Sequence, residues 1–340
     1  MTQAVGRLVV GFEGTEVPPW LRALVRRGWV AGVVIFARNL ASTRAWVELQ
    51  RALLDLFPDT TPILAVDQEG GLVQRLKPPR IPEVAGLPPM GPVASALGPA
   101  GLEQLGFVMG VELAALGFNV DFAPVLDIHS RPGNPIIGER AFGTSAEAVI
   151  RNALAWRSGL ERAGVMACGK HLPGHGDTLV DSHLALPVDD TALARLEAEA
   201  FQPFRAAIAA GLDLLMTAHV RFPALDPRWP ATLSEDILRE RVRGHWGYDG
   251  VLISDDLEMG ALAALREPVE LAARLDAATV DLALVCRDGD FAEALGAALA
   301  ALPVRPEVPR RLQRLRARLR RHAAIWPLPP LPPRPVLPVA

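Results

Sequence analysis

Cysteine is nearly absent: Cys168 and Cys286 are the only two in 340 residues. Two thiols inside apolar runs make neither a disulfide framework nor a metal knuckle, so buried free thiols in a reducing compartment are expected. A charge excess of either sign is also lacking. Lys plus Arg number 35 against 38 Asp plus Glu, which removes any global argument for nucleic acid or an anionic membrane. No apolar run approaches the roughly 18 residues that a membrane span needs. The opening residues, MTQAVGRLVVGFEG, lack the basic start and long apolar stretch of a secretory leader. A cytoplasmic protein with no membrane contact is therefore expected. The first apolar run is not followed by a glycine-rich phosphate turn, which argues against an open dinucleotide-binding sheet.

Half of the residues are hydrophobic and 21% are charged, the balance of a globular chain with a large core. Short β-branched runs at residues 7–12, 32–37, 62–67, 118–125, 165–170, 214–219, 250–254 and 281–286 alternate with helical patterns. Those patterns include 42–57, 99–116, 145–163, 189–210 and 234–243, with Ser42 and Ser234 at N-cap positions and Gly164 and Gly211 at stops. The runs are continuously apolar and not alternating, so each strand should be buried on both faces. Eight β-then-α units predict an α/β fold, a single (β/α)8 TIM barrel over residues 1–302.

Two segments fall outside that repeat. Residues 68–98 are rich in Gly and Pro and read as a functional loop. Residues 303–326 form an arginine-rich helix whose Leu312, Leu315 and Leu319 should pack on the barrel while its arginines face solvent. No aromatic residues interleave with those arginines, which weighs against nucleic acid. Residues 327–340 form a proline-rich tail, expected to be disordered. A monomer is expected.

A barrel carries its active site at the C-terminal ends of its strands. Four predicted strands end in ionisable groups: Asp67, Lys170–His171, His219 and Asp255–Asp256. The richest stretch, KHLPGHGDTLVDSH at 170–183, holds three of the seven histidines, two acids and a lysine. Its proline and glycines make it a loop. His171, His175, Asp181 and His183 can be grouped as metal ligands, but the spacing fits no zinc signature and Lys170 would oppose a cation. Acid–base chemistry fits better. Asp181 lies two residues from His183, near enough in a turn to hold one ring nitrogen and leave the other for a substrate. A separate nucleophile is then needed, and from residue pattern alone either Asp255 or Asp256 of ISDDLEM can serve.

The segments KHLPGHGDTLVDSH, VDQEGGLVQR, IGERAFG and LISDDLEM resemble the signature segments of family 3 glycoside hydrolases. They are most similar to the cytoplasmic β-N-acetylglucosaminidases of peptidoglycan recycling, in order from about residue 6 to 302. The resemblance implies a retaining β-N-acetylhexosaminidase with Asp255 as nucleophile, His183 as proton donor and acceptor, and Asp181 orienting His183. It places Asp67, Arg75, Arg140, Lys170 and His171 on the terminal sugar. The implied partner is an N-acetylglucosamine-containing muropeptide, and no cofactor or metal is called for. A histidine acid/base replaces the usual carboxylate of glycosidases. Neutral after giving up its proton, it would not repel an anion, so phosphorolysis stands as an alternative to hydrolysis. A metal-dependent hydrolase is the more distant alternative. The sequence departs from the pattern at Leu172, where a bulkier residue is usual.

Overall fold

The computed structural model describes residues 6–84 and 86–322. Eight strands form a closed barrel in chain order. They are β1 (Leu8–Val10), β2 (Val30–Ile35), β3 (Ile63–Val66), β4 (Val120–Asp121), β5 (Met166–Leu172), β6 (Leu214–Thr217), β7 (Val251–Asp256) and β8 (Leu282–Val285). Every pair is parallel, including the closing pair of β8 with β1. The expected TIM barrel is what the chain builds.

Every crossover carries a helix, as parallel pairing requires. In chain order these are α1 (Pro19–Arg26), α2 (Thr43–Leu54), α3 (Met90–Ala115), α4 (Ala146–Arg162), α5 (Leu193–Ala198) and α6 (Gln202–Ala209). A π-helical stretch (Asp236–His245) links β6 to β7, and α7 (Pro268–Ala277) and α8 (Gly289–Ala301) follow. Ser42 Oγ caps α2 by accepting from the Ala45 amide, and Ser234 Oγ accepts from the Ile237 amide. Gly164 and Gly211 take positive φ after α4 and α6, a conformation that costs glycine least.

Three expectations need correcting. The helix expected over 189–210 is two helices, because Pro203 near the start of α6 cannot donate to Glu199 and its ring crowds that turn. The strand expected over 118–125 pairs regularly only at Val120–Asp121, since Pro124 interrupts the ladder before the isolated Val125–Lys170 bridge. The long loop is not wholly irregular. It holds an antiparallel hairpin (Gln68–Gly70 with Val73–Gln74) and then the first turns of α3, which kinks at Gly98.

The strands divide two apolar layers. Val9, Ala31, Ile63, Val120, Cys168, Met216, Ile253 and Leu284 belong to the layer inside the barrel, and alternate residues pack against the helices. A ninth helix, α9 (Glu307–Arg318), lies across the N-terminal mouth. Its Val308, Leu312, Leu315 and the following Leu319 join the inner layer and close the barrel floor.

Most arginines around α9 face solvent as expected, Arg310, Arg314, Arg318, Arg320 and Arg321 all being exposed, but several of them are also paired and Arg311 is buried. Arg311 pairs with Asp249 and with the fully buried Asp281, and Arg314 pairs with Asp249. Arg318 pairs with Asp213, and Arg321 donates to the carbonyls of Leu54, Phe57 and Thr60. The tail at 327–340 lies outside the described residues.

Asp281 accepts from Arg243 at 2.6 Å, from Arg311 at 3.3 Å and from the Leu252 amide at 2.9 Å. Asp281→Ala leaves two guanidinium groups short of a counter-charge under the barrel, so a loss of about 3–5 kcal/mol is expected in urea unfolding. Arg310→Ala, at a surface pair, should cost less than about 1 kcal/mol in the same assay.

Candidate active site

At the C-terminal mouth the strand ends and loops enclose a cavity of about 730 Å³. Its wall on the β3–β5 side is a chain of alternating charge. Lys170, 3% exposed, donates to Asp67 at 2.9 Å and to Glu69 at 2.5 Å. Arg75 reaches the other Asp67 oxygen at 3.2 Å, and Arg140 grips Glu69 through Nε and Nη2 at 2.8 and 2.9 Å. Five side chains from three chain segments thus share one network.

Burial opposes ionisation of these groups, but their partners outweigh it. Lys170 and Arg75 hold the Asp67 carboxyl well below the usual range, and Arg140 and Lys170 hold that of Glu69 down at about 2. Asp67 and Glu69 in turn keep Lys170 protonated above its ordinary value. Glu69 was not foreseen as a site residue. Its signal was position alone, two residues after Asp67 in VDQEGG.

Asp127, also unforeseen, organises the next layer. One buried carboxylate accepts from the His171 ring Nδ1 at 2.7 Å and from the His171 and His175 amides. With Nδ1–H given to Asp127, the His171 ring presents Nε2 as its free nitrogen. His175 meets Thr178 Oγ1 at 2.7 Å and Ser182 Oγ at 3.0 Å, and burial pushes its pKa down to about 4.

These contacts separate the histidines that sequence alone grouped as metal ligands. His171 and His175 are committed to the buried frame, while His183 stands off with Asp181. Among the described residues no group of three or more His, Cys, Asp or Glu is placed to hold a metal ion.

The His183 ring Nδ1 meets Asp181 Oδ1 at 2.8 Å, and the His183 amide donates to the same oxygen at 2.8 Å. This pair is the exposed part of the site: the His183 side chain is 64% accessible and that of Asp181 32%. The amide and ring donors of His183 draw the Asp181 carboxyl below its ordinary value despite some burial. The loop is pinned from behind. The Gly260 amide donates to the His183 carbonyl and the Ala261 amide to the Ser182 carbonyl, both at 3.1 Å. A Cβ on Gly260 would lie 2.6 Å from the carbonyl oxygens of His183 and Leu184, so only glycine permits this approach.

The two aspartates ending β7 are not equivalent. Asp256 accepts from the Glu258 amide at 3.1 Å and the Cys286 amide at 3.3 Å, bracing the turn against β8, and burial raises it to about 6. Asp255 accepts from the Asp256 amide at 2.8 Å and lines the cavity. Burial would raise it, but His171, His219, that amide and Lys170 together hold it below its ordinary value. His219 is buried between Thr232 Oγ1 on Nδ1 and the Asp256 carbonyl on Nε2, so it steadies this turn from below.

A closed parallel barrel with two kinds of carboxylate and a half-free imidazole at its mouth defines a hydrolytic enzyme. Residues 12–317 match the glycosyl hydrolase family 3 N-terminal domain, and the chain belongs to this family of glycoside hydrolases. It is 39% identical to a β-hexosaminidase of Pseudomonas aeruginosa over 92% of this chain and 91% of that one. Its fold matches a family 3 β-N-acetylglucosaminidase from a Paenibacillus species with TM-score 0.88 and 38% identity. That match covers 94% of this chain but only 62% of the longer Paenibacillus chain. NagZ from Neisseria gonorrhoeae, solved with N-trifluoroacetyl-D-glucosamine, matches with TM-score 0.82 and 32% identity, covering 94% and 93% of the two chains. Among the described residues no helix is long and apolar enough to cross a membrane.

Beneath the charge chain lies Asp121, fully buried, with Oδ1 on the Gln68 amide at 2.9 Å and Oδ2 unpartnered. Burial lifts its carboxyl from 3.8 to about 8. The folded chain keeps this proton over a pH range in which the unfolded chain has released it. Its stabilising contribution is therefore present at acid pH and is lost as pH rises toward about 8. Asp121→Asn removes the titration while keeping an acceptor. Its melting temperature relative to the parent should climb between about pH 5 and pH 8 and then level off. A constant offset in paired thermal melts would show that Asp121 does not titrate in this window.

Proposed function

We propose that the protein is a retaining exo-β-N-acetylglucosaminidase acting on terminal β-linked N-acetylglucosamine of peptidoglycan fragments in the cytoplasm. The observation that carries this reading is the pairing of a sheltered, ionised Asp255 with a His183 whose Nδ1 is committed to Asp181. Similarity to the Pseudomonas β-hexosaminidase and the Neisseria protein supports the substrate class.

In the first step His183 Nε2 protonates the glycosidic oxygen while Asp255 attacks the anomeric carbon, giving a β-to-α inversion and a covalent glycosyl-enzyme. Asp181 keeps the imidazole in the tautomer with its free nitrogen toward the substrate, and it stabilises the imidazolium that must precede proton donation. In the second step neutral His183 takes a proton from water, which attacks the same carbon from the face the leaving group vacated. The β configuration is restored and Asp255 leaves as a free carboxylate. Asp67 accepts from sugar hydroxyls, while Arg75, Arg140, Lys170 and His171 meet hydroxyl and acetamido oxygens; Glu69 holds Lys170 and Arg140 in place for that task.

The direct test is release of 4-nitrophenol from its β-N-acetylglucosaminide and from the matching β-glucoside. The acetamido sugar should be strongly preferred, and added phosphate should not accelerate turnover, because water is the acceptor. Turnover of neither glycoside by well-folded protein would end this reading. Asp255→Ala should cut kcat/KM by several orders of magnitude. His183→Ala should cost about 10²–10⁴-fold with a poor leaving group.

Gly260→Ala displaces the loop that carries His183 and leaves Asp255 in place. Its kcat/KM should therefore fall at least about tenfold more for a 4-methylphenyl than for a 2,4-dinitrophenyl glycoside, since the latter departs with little proton assistance. Equal losses on both substrates would mean that Gly260 does not act through His183.

A further inference from the structure

The cavity has two unlike walls. The β3–β5 wall carries the charge chain and meets the sugar in the proposed reading. The opposite wall comes from the segments after β7 and β8 and includes Glu258, Met259, Arg266, Arg287 and Asp288. Nothing in the mechanism uses this wall, and with the terminal sugar assigned to the β3–β5 wall it is the one left for the leaving group. The acid/base loop is bonded to Gly260 and Ala261, and the short 3-10 segment that starts there (Gly260–Leu265) leads directly to Arg266.

Six lysine and arginine side chains line the cavity: Arg38, Arg75, Arg140, Lys170, Arg266 and Arg287. Five have an acidic partner. Arg75 and Lys170 hold Asp67, Arg140 holds Glu69, and Arg38 and Arg287 both hold Glu13. Among the described residues Arg266 forms no ion pair or side-chain hydrogen bond, and its Nε is buried without a partner. The guanidinium lies 4.5 Å above the Phe291 ring, which fixes its plane without using its donors. A half-buried cation kept in a set orientation with no acidic partner stands apart from five ion-paired ones, because an unpaired guanidinium gains strongly from a planar two-oxygen acceptor.

We propose that Arg266 is a specificity residue on the leaving-group side, and that it receives a carboxylate carried by the aglycone. This rests on the glycosidase reading and assigns to one residue the recognition of the carboxylate that a sugar-acid or peptide aglycone carries. Phe291 positions the guanidinium, and the segment Gly260–Leu265 joins it to the turn bonded to the His183 loop, so that both side chains line one cavity.

The test uses the full-length protein and two β-N-acetylglucosaminides of one phenol: 3-(4-hydroxyphenyl)propanoic acid and its primary amide. The phenol is equally basic in both, so the ratio of kcat/KM for acid over amide isolates the remote carboxylate. The parent enzyme should favour the acid by about tenfold at low salt, falling as salt is added. Arg266→Met, which keeps an apolar stem on Phe291, should bring the ratio near one. Arg266→Lys should restore part of the preference, and Arg287→Met should retain it. A parent ratio near one, or a ratio unmoved in Arg266→Met, overturns the proposal even though turnover of the amide upholds the glycosidase reading. Loss of the preference in Arg287→Met instead overturns the assignment to Arg266. Turnover of neither compound removes the glycosidase reading and this proposal with it.

Discussion

Lys170 is a cation with almost no access to water, and the site is built around neutralising it. An ammonium group buried alone would surrender its proton; here Asp67 and Glu69 both bind it, and each of these acids also holds an arginine. The consequence is geometric more than energetic, because buried ion pairs contribute little net stability against their desolvation. One charge fixes the relative positions of the hairpin after β3, the end of β5 and the turn that carries Arg140. In the proposed reading a sugar entering this wall meets donors and acceptors that are already oriented, so little reorganisation is left for the moment of binding.

The second device is the Asp127 frame, which ties the end of β5 to the loop that follows it. Asp127 holds His171 and the His175 amide; His175 holds Ser182; and the Ser182 and His183 carbonyls rest on the segment after β7. The acid/base loop is thus referenced to β5 on one side and to β7 on the other. Its tip remains exposed, which suits the proton exchange with water proposed for His183. Asp255 as the proposed nucleophile has the opposite need, since a nucleophile that water solvates or protonates is a poor one, and it is held below its ordinary pKa by His171, His219 and Lys170.

Much of this arrangement was readable from the chain. Continuous apolar runs gave the barrel because both faces of a parallel strand are covered, and strand-end polar residues gave the mouth. Boundaries failed where proline intervened, at Pro124 and Pro203, because backbone hydrogen bonding overrode hydrophobic pattern there. Glu69 and Asp127 escaped because their partners lie far along the chain: Arg140 is 71 residues from Glu69, and His171 is 44 from Asp127. A lone acid in a loop has no local pattern to mark it. The acidic partners of the α9 arginines, and the burial of Arg311 among them, escaped for the same reason, since Asp213, Asp249 and Asp281 meet them only after the barrel closes.

The division between the two walls follows from what each must recognise. A terminal sugar presents one fixed set of hydroxyls, and it suits a wall in which every charge is already satisfied and cannot rearrange. A leaving group varies, departs during the first step and must not be held so firmly that release becomes slow. That side is built from loops after β7 and β8, with Asp256 and Glu258 spending their oxygens on backbone amides to shape the turn. In the proposed reading the rigid wall fixes the anomeric carbon against Asp255 while His183 delivers the proton from the other side. A single loop, bonded to Gly260 and Ala261, then carries the proposed proton donor to the departing aglycone.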